Sequence, residues 1–483
     1  MIHPVLASMC IMLFSSVILC AQPDKKSIHK ISGQLEKMAI SDHLSGVVLI
    51  AKNNQVLYQK AFGFANRADQ VRNEITTRFN MASMTKMFTG MAILQLAESG
   101  KLSTDDPVGR YLPDYPNKTV ADSVTIHQLL THTAGLGNFW EELDKVPKER
   151  YQSVDDYLRL FASKPLVFKP GSRYAYSNAG YILLGKIIEQ ASGQTYFGFV
   201  KDHILLPAGM QDTDAFELDD VQPRIATGYT MSQEKAGHWK SNNYVNVFKG
   251  GPAGGYYTTA TDLLRFSKAI TSNLLLNKNS TDLYMKGKVK YDRGYYAYGM
   301  STDTLNSYGL TGHTGGHFGI ANEFFICPDL GYTVIIMTNG EVENYWDVAN
   351  LVKSTLFGNT PATDNYYFTK KVIAEATSKG EGSAFTLATG RGTSIQLRES
   401  VIDRSAYHLM FDKKNQQAIS LFRLNVKCFP QSPGALYSLA EGYRLTGDKK
   451  NATITYEQYL LQEPGDAEVK EKLQQLMKDH PSP

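Results

Sequence analysis

Ser83 and Lys86 stand three residues apart in Phe79-Asn80-Met81-Ala82-Ser83-Met84-Thr85-Lys86-Met87-Phe88, where an extended segment runs into an apolar stretch. Met87, Met91, Leu94 and Leu96 recur at roughly helical spacing, and Gly100 supplies a stop. Residues i and i+3 share a helix face, so the hydroxyl and the amine can meet. A hydroxyl is a weak nucleophile until a base takes its proton. A lysine serves as that base when burial or nearby cations keep it neutral. The helix start adds unpaired N–H groups that favour developing negative charge.

The spacing alone is a poor signal. Ser-x-x-Lys occurs at Ser27/Lys30, Ser83/Lys86 and Ser232/Lys235, and Tyr-x-Asn at Tyr115/Asn117, Tyr176/Asn178 and Tyr244/Asn246. Taken singly, Tyr176 reads as a packed aromatic like Tyr174 and Tyr181, and His132 as a residue that caps or packs. One ordered set has matching local structure. Ser83/Lys86 opens a helix after a strand, Tyr176/Asn178 precedes an apolar helix, and His313-Thr314-Gly315 lies in a strand beside Gly316. No helix directly follows Tyr244/Asn246.

This set resembles the three motifs of the serine β-lactamase and penicillin-binding-protein superfamily, Ser-x-x-Lys, Tyr-x-Asn and Lys/His-Thr-Gly. The flanks Gly100-Lys101-Leu102-Ser103-Thr104-Asp105-Asp106-Pro107 and Leu129-Leu130-Thr131-His132-Thr133-Ala134-Gly135-Leu136 look alike too, and the likeness spans about residues 28–358. The tyrosine motif and the third-motif histidine point to the class C branch, with its DD-peptidases, D-aminopeptidases and esterases. The resemblance implies that Ser83 is acylated while Lys86 and Tyr176 move the proton. It puts the oxyanion hole at the N–H groups of Ser83 and Gly316, with Asn178, His313, Thr314 and Gly315 binding substrate. No cofactor or metal is implied. The best substrate is a D-amino-acid peptide, as for a DD-carboxypeptidase. The alternatives are a small-ester esterase, a weak β-lactamase, or a sensor that is acylated without turnover. A histidine at position 313 is neutral near pH 7 more readily than a lysine, which weakens a grip on an anionic group.

The elements that must position these residues read as an α/β (α+β) fold. Gly46–Lys52 and Gln55–Phe62 form a hairpin about Asn53-Asn54; 320–327 and 332–338 form another. Neither has a long partner of its own, so one antiparallel sheet built from both ends of the domain is expected, with helices flanking it and a helical lobe between. Helices are predicted over 25–41, 153–163 and 345–357. Gly250-Gly251-Pro252-Ala253-Gly254-Gly255 lacks a phosphate-loop pattern and reads as close backbone packing.

The chain has 483 residues, 42% hydrophobic, with a net charge of +3, too small to argue for nucleic acid or a membrane surface. Residues 1–21, with an uncharged run from Val5 to Leu19, read as a signal peptide, so export to the periplasm or beyond is expected. Lipid anchoring at Cys20 is disfavoured by the bulky Leu19. The mature chain keeps Cys327 and Cys428, without a disulfide framework. The hydrolase domain is expected over 22–358, an ambiguous linking segment over 359–400 and helical repeats over 401–477. Ala406/Ala440, Ala418/Ala452, Phe422/Tyr456 and Pro430/Pro464 are matched at a 34-residue offset, resembling a tetratricopeptide repeat. Two units rarely stand alone, so they are expected to pack on the preceding segment, the catalytic domain or a protein partner.

Overall fold

The hairpins predicted at opposite ends of the domain meet in one sheet. In the computed structural model, which describes residues 22–40, 44–143, 145–232, 237–292, 294–340, 342–390 and 395–478, Gly46–Lys52 lies between Gln55–Phe62 and the distant Tyr332–Thr338. The sheet continues through Ile320–Cys327, Tyr308–His317, Ser301–Leu305, Gly294–Tyr296 and Val289–Tyr291, with every pair antiparallel. Leu49, Phe324, Ile335 and Met337 face the helical lobe, whereas Val48, Phe325 and Ile336 face the helices Gln22–Ile40 and Val342–Phe357. Burial on both faces is why the central strands read as unbroken apolar runs rather than as alternation.

The lobe carries the rest of the site. Thr125 caps Ile126–Leu130 with a capping box to Gln128, and Ser177 caps Asn178–Ser192 through the Gly180 N–H. The helix predicted over 153–163 is regular only at Val154–Leu158. Beyond it the chain tightens into i+3 turns, which let Phe161 stack on Phe139 at 5.5 Å.

The ambiguous stretch 359–400 contains two helices, Pro361–Lys379 and Glu381–Thr389. Thr360 caps the first and Pro361 occupies its first turn. Its polarity is mixed because only one face is buried: Tyr366, Val372 and Ala376 share a core with Val401, Phe422 and Tyr456 of the following helices. These are Glu399–Phe411, Asn415–Cys428, Pro433–Leu445, Lys449–Gln462 and Ala467–Lys478. The matched residues Ala406/Ala440, Ala418/Ala452 and Phe422/Tyr456 are all buried, and Lys413 and Gly447 both have positive φ, +62° and +80°.

Among the described residues Cys327 and Cys428 form no disulfide. Among the described residues no helix is long and apolar enough to cross a membrane. The signal-peptide segment, with Cys10 and Cys20, lies outside the described residues.

Candidate active site

Ser83 sits on a tight turn rather than in the first turn of a regular helix. The short strand Phe79–Asn80 ends at Met81, Ala82–Thr85 form a 3-10 turn, and the α-helix begins at Lys86 and runs to Glu98. Ala82 adopts φ +45°, an unfavourable conformation for a residue with a Cβ. Several contacts hold it there. Asn80 Oδ1 accepts the Ala82 N–H at 2.9 Å, the Thr85 hydroxyl donates to Ala82 O at 2.9 Å, and the Gly255 N–H donates to the same carbonyl at 3.3 Å. The glycine-rich loop packs directly under the turn. A Cβ on Gly254 would meet Ala82 backbone at 3.2 Å.

Lys86 is completely buried. Its Nζ lies 3.3 Å from Ser83 Oγ and 2.7 Å from Asn178 Oδ1, and also contacts the carbonyl of Ala253. Two of these partners are obligate acceptors. A neutral amine has two N–H donors and one lone pair, so it can satisfy both acceptors and keep the lone pair for the Ser83 proton. Burial drives the Lys86 pKa well below its ordinary value, in the direction this arrangement needs. Tyr176 hydrogen-bonds Ser83, and its ring centroid lies 4.9 Å from Lys86 Nζ. Part of that ring faces the cleft, with 44% of the residue exposed, but desolvation raises the phenol pKa against the opposing effect of the Ser83 bond.

Ser83, Tyr176, Asn178 and Gly316 line one cavity of about 270 Å³, together with the apolar side chains of Phe139, Tyr157, Ile182, Val245 and Val247. His313 and Thr314 line an adjoining cavity of about 250 Å³, which shares Tyr176. Gly315 lies against the Ser83 turn, where a Cβ would sit 2.2 Å from Met81 O. Gly315→Ala is therefore expected to push the strand from the turn and destabilise the fold by about 1–3 kcal/mol. A thermal melt checks this, and an unchanged midpoint would contradict it.

His313 lines the adjoining cavity, and both of its ring nitrogens have protein partners. Its Nε2 is 2.8 Å from the Tyr296 hydroxyl and its Nδ1 2.5 Å from Thr314 O. The carbonyl can only accept, so Nδ1 carries the proton and Nε2 accepts from Tyr296. Both ring nitrogens are thus occupied by the protein. Burial and the nearby Lys86 push its pKa down to about 3, against the Thr314 bond, so it is neutral at pH 7.

His132 packs, as read from the sequence, whereas Tyr296 and the Ala253 carbonyl were missed. His132, with φ +58°, accepts the Ser177 N–H on Nδ1 at 3.1 Å and packs its ring 4.3 Å from that of Tyr176, which fixes the tyrosine loop. Burial pushes its pKa well down, so it adds no charge beside Lys86. Tyr296 holds His313, and Ala253 contributes a main-chain carbonyl. No spacing signal marks any of them. Lys235 of the Ser232/Lys235 spacing lies outside the described residues; the other competing motifs stand apart from Ser83 and Lys86. Tyr115 is a core residue and Asn117 a helix cap; Tyr244 is exposed, although Asn246 lines the Ser83 cavity. Ser27 and Lys30 lie on the helix Gln22–Ile40.

Fold and site together define a serine hydrolase. The family model described as Beta-lactamase matches residues 35–352, and the chain belongs to that family. A penicillin-binding protein of Bacillus subtilis (strain 168) is 30% identical over 342 residues, covering 67% of this chain and 74% of that one. Esterase EstB of Burkholderia gladioli is 34% identical over 261 residues, covering 48% and 66%. The crystal structure of a penicillin-binding protein from Bacillus halodurans superposes with a TM-score of 0.60 at 34% identity, covering 68% of this chain and 98% of that one.

Proposed function

We propose that this protein is an exported hydrolase that cleaves ester or amide carbonyls through an acyl-enzyme on Ser83. The observation that carries the reading is the set of partners around the Lys86 amine, which suits a neutral base facing a hydroxyl. In this scheme Ser83 Oγ attacks the carbonyl as its proton passes to Lys86, with Tyr176 protonating the leaving group. The N–H groups of Ser83 and Gly316 hold the oxyanion, each worth on the order of 3 kcal/mol in the transition state. Asn178 orients Lys86 and the substrate amide. Water then enters by the same route in reverse and releases the acid.

The apolar lining of the Ser83 cavity suits an uncharged acyl group of moderate size. The engaged, neutral His313 offers no cation to a terminal carboxylate, which favours an uncharged leaving group and so the ester reading, in keeping with the likeness to an esterase. The likeness to penicillin-binding proteins supports the second reading, a peptide ending in D-amino acids. A matched panel separates them: a p-nitrophenyl ester, an acyl-D-Ala-D-Ala peptide with a free carboxylate, and its carboxamide. The ester and the carboxamide are expected to turn over at least about tenfold faster than the free acid. A preference for the free acid would establish the DD-carboxypeptidase reading instead. One equivalent of covalent label with no turnover would mark an acylated sensor. The C-terminal helices form a tetratricopeptide-like cap in this scheme.

A further inference from the structure

One wall of the Ser83 cavity, Val245-Asn246-Val247, is held in part by the buried Asn242. The Asn242 N–H donates to Gly228 O at 2.9 Å, its Oδ1 accepts the Gly228 N–H at 3.1 Å, and its Nδ2 donates to Phe318 O at 3.0 Å. Its own carbonyl accepts the N–H groups of Val245 and Asn246, each at 3.1 Å. His317 closes the wall from the other side, Nε2 donating to Val245 O at 3.1 Å. Asn242 therefore ties the wall to the end of the strand that carries Gly316.

Only Lys240 and Ser241 separate Asn242 from Trp239, which begins the strand Trp239–Ser241 paired with Tyr229–Met231. The indole is flanked by the Arg67 guanidinium, 4.0 Å from its centroid, and by the ring of Phe411, 4.9 Å away at 63°. Phe411 is the last residue of the helix Glu399–Phe411 and belongs to the C-terminal region, outside the part of the chain that matches the family. Edge-to-face aromatic pairs hold geometry as well as area. Asn242 directly follows the strand, and a turn leads from it into the wall.

We infer that Phe411 and Trp239 are positioning residues for acyl-group selectivity: the C-terminal helices brace the 245–247 wall through this aromatic contact. The inference rests on the acyl-pocket reading above. It assigns the helical region a part in hydrolysis although none of its described residues lines the Ser83 cavity.

The test compares p-nitrophenyl hexanoate, which fills the pocket, with the acetate, which does not, on full-length wild type, Phe411→Ala, Trp239→Ala and the double variant. Each single variant is expected to lower kcat/KM for the hexanoate about fivefold, mainly through KM, and to change the acetate less than about twofold. The double variant is expected to fall no further than the worse single one. Phe411→Tyr should restore the wild-type ratio. Should either alanine variant melt early, Phe411→Leu is judged by the same ratio. Equal losses on both esters, or multiplicative losses in the double variant, overturn the brace while leaving the active site intact. Ester turnover that persists in Ser83→Ala overturns the acyl-enzyme reading and this inference with it.

Discussion

Ser83→Ala is expected to lower kcat by about 10,000-fold or more, with the folded state retained. The substitution removes one oxygen from a turn whose geometry is held by Asn80, Thr85 and Gly255 rather than by Ser83 itself. The main structural cost is one lost partner each for Lys86 and Tyr176, about 1 kcal/mol apiece. A residue acting as the nucleophile cannot be replaced by its neighbours, because the base and the oxyanion donors act only on the atom it supplies. Labelling by a fluorophosphonate, read by intact mass, should disappear together with turnover. A variant that keeps a tenth of the wild-type rate, or that still takes the label, would put the nucleophile elsewhere.

Lys86→Met is expected to lower kcat about 1,000-fold, within the usual range for losing a positioned general base. Methionine fills similar space without a proton acceptor, so the loss isolates the chemistry from the packing. The pH dependence has a definite sign. Burial lowers the Lys86 pKa, and only the neutral amine accepts the Ser83 proton. The wild-type kcat/KM should therefore rise with pH through the folded pKa and then level off. Tyr176, raised by burial, keeps its proton over the same range. Stability follows the same group. Between the folded pKa and the ordinary value of 10.5, the unfolded chain binds a proton at Lys86 that the native state does not. Wild-type stability should therefore climb with pH across that window, and the excess slope over Lys86→Met should vanish above it. Identical slopes in urea titrations of the two proteins would mean that Lys86 is charged in the native state.

Much of the local scaffold is legible in the sequence. The Asn53-Asn54 hairpin, the Thr125 cap and the three-residue spacing of Ser83 and Lys86 all depend on partners a few positions away, where hydrogen-bond geometry and periodicity constrain the answer. The joining of the early and late hairpins is legible too, since each leaves a sheet edge to cover. The helices at Pro361–Lys379 and Glu381–Thr389 were hidden because their polar faces dilute the pattern of the buried one.

By itself, then, the sequence determined the closeness of Ser83 and Lys86, the order of the three motifs and the sheet that frames them. Only the tertiary structure brought the chosen Ser83/Lys86 and Tyr176/Asn178 pairs together and engaged His313 with Tyr296 and its own strand. It also brought in His132 and the Ala253 carbonyl. Lys86 reaches Asn178 across 92 positions and Ala253 across 167. Contacts at that separation arise from how helices and loops pack on the sheet, and no local spacing encodes them.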